Sequence, residues 1–353
     1  MRVLIDITHP AHLHFFRNAA TLLKNQGHEV RLTGRDKDIL GELADQYGLE
    51  IEKFGKFKPG MLNLFFELVY RWWRLYRIAR KWKPDVMLSV AGTYTALVGW
   101  ITRTPVHIFY DTEHATISNL LAYPFATCIH VPDCYNRPIR WPHRRYPGYH
   151  ELAYLHPDYF TPDPAVLDEL GVKPDEKFVL IRFVGWGAAH DVGHKGISPE
   201  NKRKAVQEFS KYARVFISSE APLPNDLEKY RFPIPSSRIH DAMAYATLVY
   251  GESATMASEG AVLGTPAIYL DDEGRGYTDE QEKKYGLVFN FSESLEDQER
   301  SVEKAAELLK REDIKKIYSN NKQKLLQATI DVTDYLTRVC TGHRGNRLES
   351  RVK

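Results

Sequence analysis

The sequence predicts an α/β protein of two doubly wound domains, each a parallel sheet with helices on both faces. Three observations carry that expectation. Short apolar runs such as RVLIDI (2–7) alternate with segments of helical period; the alternation stops in a proline-rich stretch from about 132 to 176; and it restarts at KFVLIRF (177–183). Strands that alternate with helices imply parallel pairing through crossover connections.

RVLIDI ends where polar residues begin, as a strand buried on both faces does. Residues 12–26 read as a helix stopped by Gly27, and HEVRLTG (28–34) as the next strand, which completes one βαβ unit. The pattern continues with a long helix over 61–82, a strand PDVMLSV (84–90), a helix TYTALVGWI (93–101) and a strand PVHIFY (105–110). Prolines 132, 138, 142, 147, 157, 162, 164 and 174 then fall among Tyr, Arg and His, a composition expected of irregular, linker-like chain. Beyond it come a helix over 199–211, RVFISS (214–219), a helix over 239–246, LVYG (248–251), a helix over 255–263 and PAIYL (266–270). The expected division is a first domain over 1–155, a second over 156–340, and a polar, mobile tail over 341–353. Open parallel sheets bind ligands at the carboxyl ends of their strands, so the expected site is a cleft between the two sheets.

Composition narrows the function classes. With 48 basic and 46 acidic residues the 353-residue chain carries a net charge of +2, and no global basic field marks it for nucleic acid. Cys128, Cys134 and Cys340 match no metal spacing and are too few for a disulfide framework, which points to a reducing, cytoplasmic setting. MRVLID runs straight into a strand, and no eighteen-residue apolar window follows, so neither a signal peptide nor a membrane span is expected.

The most specific motif is GESATMASEGAVLGTPAIYL (251–270). Gly251 ends a strand, Glu252 and Ser253 form the turn, and a helix opens near Ala254 or Thr255. Such a helix start offers unpaired N–H groups and the positive end of the dipole, which suit a pyrophosphate. Small residues at 251, 253 and 254 let phosphate approach, and Glu259, one turn on, can accept hydrogen bonds from a ribose diol. An ordinary strand–turn–helix with Ser253 as N-cap has the same pattern. RFVGWGAAHDVGHKG (182–196) adds Arg182 as a bidentate donor and Gly185 in a phosphate-side loop, with a plain surface loop as the alternative.

The 251–270 segment resembles the donor-binding region of two-domain nucleotide-sugar enzymes of the GT-B architecture. It is similar to both the N-acetylglucosaminyltransferase of peptidoglycan synthesis and the non-hydrolysing UDP-N-acetylglucosamine 2-epimerases. The resemblance implies that Ser253, Ala254 and Thr255 meet the diphosphate and Glu259 the ribose. It also puts Gln281 of DDEGRGYTDEQEKKYGLVFNF (271–291) at a sugar-facing glutamine. In the first half, KWKPDVMLSVAGTYTALVGWITRTPVHIFYDTEHATISNLL (81–121) resembles the transferase run of strand, Gly-rich turn, helix, strand and Glu-containing loop. DITHPAHLHFFRNAATLLKNQGHEV (6–30) resembles its opening strand, loop and helix, with His12 at a histidine fifteen residues before the closing glycine, Gly27. The bulkier THPA (8–11) replaces the family's Gly-rich loop and leaves the acceptor open. The whole chain resembles a prokaryotic family of about this length whose domain has no assigned function.

Sugar transfer with inversion needs a base for the acceptor proton and positive groups for the leaving diphosphate. His12, Asp111 and Glu113 are the candidates for the base, each also readable as a loop residue bonded to its own backbone. The offsets of His9, His12 and His14 do not share one helical face, so no metal is expected there, and no cofactor beyond the UDP-sugar substrate. LNLFFELVYRWWRLYRIARKWK (62–83) mixes aromatics with Arg and Lys. It reads first as a crossover helix with its basic side in water, and second as a peripheral contact with anionic lipid at the inner membrane face. The expected function is a metal-independent glycosyltransferase with a sugar or lipid-linked acceptor. The rivals are a 2-epimerase, whose Gly–Thr–Arg–Pro–Glu opening motif is absent, and a non-catalytic sugar-nucleotide binder.

Overall fold

The computed structural model describes residues 1–36, 40–56, 61–113, 116–184, 196–219 and 222–342. Two compact units form: Met1–Tyr159 together with the chain from Ile330, and Phe160–Thr329.

The first unit contains β1 (Arg2–Ile7), α1 (Pro10–Asn25), β2 (Glu29–Asp36), α2 (Leu40–Gln46), β3 (Ile51–Lys56), α3 (Met61–Trp82), β4 (Val86–Val90), α4 (Thr95–Thr102), β5 (Val106–Phe109), α5 (Thr116–Ala122), β6 (Cys128–Pro132), β7 (His143–Tyr146) and α6 (Leu152–Leu155). Its seven strands lie in the order β3-β2-β1-β4-β5-β6-β7, all parallel. The order reverses between β1 and β4, the place where such sheets open a crevice for ligands. Alternation of side chains makes two cores. Leu4, Val106, Ile108, Ile129 and Val131 meet Leu75 and Ile78 of α3 and Val98 of α4 on one face. On the other, Phe15 and Phe16 of α1 pack against Phe109 with ring centroids 5.6 and 6.0 Å apart.

Within this unit α3 is fixed to β1 by a buried ion pair. Arg71 Nη2 lies 2.9 Å from both carboxylate oxygens of Asp6, and Arg71 Nη1 donates to the Phe54 carbonyl at 2.9 Å. Thr33 adds a hydroxyl donor to Asp6 at 2.8 Å. Neither member of the pair meets solvent, at 0% and 1% side-chain exposure.

The second unit contains α7 (Ala165–Leu170), β8 (Phe178–Phe183), α8 (Pro199–Phe209), β9 (Arg214–Ser219), α9 (Ile239–Tyr245), β10 (Leu248–Gly251), α10 (Ala254–Leu263), β11 (Ala267–Leu270), α11 (Gly276–Tyr285), β12 (Val288–Phe291), α12 (Leu295–Lys310) and α13 (Ile314–Ala328). Five parallel strands run β12-β11-β10-β8-β9, so this sheet reverses between β8 and β10.

Two expectations change. The proline-rich stretch is not a solvated linker: it holds β7, α6 and α7, and Tyr135, Tyr146, Tyr149 and Tyr154 are all buried. Its strand was hidden because β7 is an edge strand reading HRRY, with three exposed residues and no apolar run. The final helix, α14 (Val332–Thr341), also belongs elsewhere than expected. Thr333 Oγ1 donates to the Ala153 carbonyl at 2.7 Å, and Tyr335 reaches His130 of β6, so residues 330–340 complete the first unit. Its period shows an apolar stripe of Val332, Leu336 and Cys340 but not which sheet that stripe covers. From residue 343 the expected tail lies outside the described residues.

Candidate functional sites in the two units

Three parallel strands bring the first unit's chemistry to one sheet edge. Beyond β1, His9 caps α1, its Nδ1 accepting the Ala11 N–H at 3.2 Å, and Pro10 starts the helix. That start sets His12 one turn in, with Nδ1 3.1 Å from Thr8 Oγ1. His14 lies elsewhere, 3.2 Å from the Tyr47 hydroxyl and stacked on Tyr154. His9 and His12 thus stand side by side, their ring centroids 5.9 Å apart, while His14 serves a different environment.

Asp111 follows β5, and His150 follows β7. Asp111 Oδ2 lies 3.2 Å from His150 Nδ1, while His150 Nε2 is enclosed with no hydrogen-bond partner among the described residues. A carboxylate on Nδ1 holds the proton there and leaves the lone pair on Nε2. Burial pushes the His150 imidazole below its ordinary value, with Asp111 opposing that shift. His12 is held well below its ordinary value, by burial first and then by His9 and His150. Both rings are therefore neutral near pH 7, the form a base requires. His12 Nδ1 also accepts the Thr8 N–H at 3.4 Å. Glu113 is buried, and its Oε1 accepts the Asn136 N–H at 3.4 Å. The structure thus couples His12, His150 and Asp111, whereas Glu113 turns to the Asn136 backbone. His150 escaped the sequence reading because only the order β5-β6-β7 carries GYHEL (148–152) back toward Asp111.

In the second unit, the motif at 251–259 falls at the sheet's reversal. Gly251 pairs in register with Arg182 at φ +148°, and a Cβ there would sit 2.0 Å from the Arg182 carbonyl oxygen. Only glycine fits. Ser253 caps α10, its Oγ accepting the Met256 N–H at 3.3 Å, and Ser253, Ala254 and Thr255 stay partly exposed. Arg182 Nη1 donates to Ser218 Oγ at 2.8 Å. Glu259 is buried, its Oε1 2.8 Å from His240 Nε2. Gln281, on α11, is fully buried; its Nε2 donates to Ser258 Oγ at 2.7 Å and its Oε1 is enclosed without a partner among the described residues. Gly185 and most of the 182–196 loop lie outside the described residues.

Glu252 is the residue that sequence reasoning passed over. Its buried carboxylate accepts the Val184 N–H at 2.8 Å and the Ile197 N–H at 2.6 Å, with Lys202 Nζ at 3.4 Å. It therefore fastens the chain on both sides of residues 185–195. A lone glutamate in a turn gives no sign of that task.

The 62–83 segment forms the crossover helix considered for it. Leu75, Ile78 and Ala79 of α3 enter the core, while Phe65, Phe66, Val69, Tyr70, Trp73 and Tyr76 are exposed, Phe66 by 68%. Arg77, Arg80 and Lys81 are exposed at its carboxyl end. The exposed side is aromatic as well as basic. Among the described residues no helix is long and apolar enough to cross a membrane.

Comparisons with known proteins agree with this architecture. An uncharacterised protein of Methanocaldococcus jannaschii is 25% identical over 280 residues, covering 75% of this chain and 80% of that protein. A UDP-N-acetylglucosamine–N-acetylmuramyl-(pentapeptide) pyrophosphoryl-undecaprenol N-acetylglucosamine transferase of Blochmanniella floridana is 27% identical over 119 residues, 31% of this chain and 33% of that one. Among solved structures, the UDP-GlcNAc 2-epimerase of Neisseria meningitidis bound to UDP-GlcNAc superposes with a TM-score of 0.69 at 12% identity, covering 97% of this chain and 98% of its own. The spinosyn forosaminyltransferase SpnP superposes at 0.64 and 14% identity, covering 96% and 99%. The fold is therefore the one that these transferases and epimerases share, the GT-B fold expected from the sequence. The model of the protein family of unknown function DUF354 matches residues 1–275, and the chain belongs to that family.

Proposed function

We propose that the protein is a metal-independent glycosyltransferase that takes a sugar from a UDP-sugar and passes it to a sugar or lipid-linked acceptor at the inner membrane face. The observation that carries the reading is the Gly251–Thr255 turn at the reversal of the second sheet, which presents a helix start to an anion. Ser253, Ala254 and Thr255 would meet the diphosphate, with Gly251 allowing close approach and Arg182 on the β8 side; Gly185, also expected to bind it, lies outside the described residues. Glu259 would accept from the ribose and Gln281 would face the sugar. His12 would take the acceptor hydroxyl proton as that oxygen bonds to the anomeric carbon. The bond to the diphosphate breaks, and UDP leaves with its charge held by the helix start and Arg182. Asp111 and His150 would position and tune His12. The partial likeness to a lipid-linked transferase supports this choice, and the exposed aromatic and basic side of α3 suits a membrane-bound acceptor.

A second reading, sugar-nucleotide 2-epimerisation, draws on the pairing of Asp111 with His150, since moving the C2 proton needs opposed acid and base groups. Incubation with UDP-N-acetylglucosamine alone separates the two. The transferase produces no C2 epimer and releases UDP only with an acceptor, whereas epimer formed without acceptor overturns it. His12→Ala should lower turnover by about 10²–10⁴-fold with UDP affinity retained; unchanged turnover removes His12 as the base.

A further inference from the structure

We infer that His107, Cys128 and His130 form a zinc site on the face of the first unit's sheet that α14 covers. The nitrogen and sulfur donors of the three side chains all lie within 4.8 Å of one another. None belongs to the site proposed above, and the sequence spacing concealed them, because it is strand register that assembles the cluster. His107 stands directly opposite Cys128 in the β5–β6 pairing, and His130 lies two residues on, on the same side of the sheet.

The spacing of the two nitrogens is close to what zinc demands. Tetrahedral zinc with bonds of about 2.0 Å to nitrogen and 2.3 Å to sulfur holds N···N near about 3.3 Å and N···S near about 3.6 Å. His107 Nδ1 and His130 Nε2 are 2.9 Å apart, so a few tenths of an ångström of opening admits the ion between them. The other nitrogen of His130, Nδ1, lies 2.7 Å from the Tyr335 hydroxyl of α14. When Nδ1 donates to that hydroxyl, Nε2 carries the lone pair for the metal, the arrangement that outer hydrogen bonds give metal-bound histidines. Without an ion the grouping has little to recommend it. Two imidazoles stand buried beside Phe109, whose ring stacks on His130 at 4.7 Å. Cys128 is only partly buried, which leaves the metal a way in. Two nitrogens and one thiolate select zinc or copper over magnesium or calcium, and three protein ligands leave a fourth position for water.

Binding breaks the His107–His130 hydrogen bond, its proton moves to the outer nitrogen of the ring that carried it, one Zn–S and two Zn–N bonds form, and the thiol proton passes to solvent. Because Tyr335 stands behind His130, the ion ties α14 to the sheet and acts as a staple for the first unit.

The test uses the full chain, stripped with chelator and titrated with Co(II) as a spectroscopic probe. One equivalent should give a sulfur-to-cobalt charge-transfer band, displaced by Zn(II), with release of one proton per metal. The band should vanish in Cys128→Ser and persist in Cys134→Ser. X-ray absorption on the zinc-loaded wild type should show one sulfur and at least two nitrogen neighbours, which checks the ligands even if a variant fails to fold. No thiolate band in the wild type, a band that survives Cys128→Ser, or a zinc shell without sulfur overturns the inference.

Discussion

Replacing Arg71 with Met removes the positive partner from the Asp6 carboxylate at the centre of the first unit. Asp6 is 1% exposed and keeps one donor, the Thr33 hydroxyl at 2.8 Å. A buried charge stripped of its partner costs about 3–5 kcal/mol. Two further losses point the same way: the bond to the Phe54 carbonyl and the stacking of the guanidinium on Tyr94, 4.3 Å from the ring centre. Urea unfolding followed by tryptophan fluorescence is the assay, because Trp72, Trp73, Trp82, Trp100 and Trp141 all lie in the first unit. With a slope of about 2–3 kcal/mol per molar urea, the midpoint should fall by about 1–2 M. The double change Asp6→Leu with Arg71→Met removes both charges and should recover to within about 2 kcal/mol of the parent, since an apolar pair of similar volume replaces a buried ion pair at small net cost. A loss below 1 kcal/mol for Arg71→Met alone would refute the reasoning, as would a double variant as unstable as the sum of the singles.

Gly251→Ala should abolish detectable UDP binding, read by calorimetry, because its Cβ would meet the Arg182 carbonyl at 2.0 Å and force β10 from β8 at the turn itself. Stability should fall on the acid side. His12 and His150 are held below their ordinary value, so the unfolded chain takes up protons below about pH 6.5 that the folded chain refuses. Their contribution is complete above about pH 7 and is lost as the pH falls toward the folded values. The urea midpoint should drop between about pH 7 and 5, and by less in His12→Gln with His150→Gln. Wild-type protein should sediment with vesicles containing anionic phosphatidylglycerol, and Phe66→Ser with Trp73→Ser should release it. Equal sedimentation of the two would remove α3 as the lipid contact.

Local order was the legible part. RVLIDI, PVHIFY and KFVLIRF are buried in the middle of parallel sheets, and such strands advertise themselves as unbroken apolar runs. The turn at 251–255 was legible because a glycine and an N-cap serine must be adjacent to build it. What depended on which strand neighbours which was not. β7 hides in HRRY, and His150 meets Asp111 only through the order of the sheet's last three strands. Cys128 matched no metal spacing along the chain, yet register sets it opposite His107. Buried carboxylates were opaque for a related reason: nothing local distinguishes Glu252, bound to two distant backbone amides, from a solvated glutamate in a turn.

The return of α14 to the first unit sets the order in which the protein can mature. A chain synthesised from its amino terminus exposes all seven strands of the first sheet before residue 160, while the helix that covers Tyr146, His130 and Ala153 is made only after the second unit. Meanwhile the second unit, a continuous segment, has everything needed for its own sheet once residue 329 is made. The half that begins first on the ribosome therefore finishes second. Until then a patch of aromatic surface stays uncovered, and a nascent chain stalled or cut before Val332 offers that patch to chaperones and proteases.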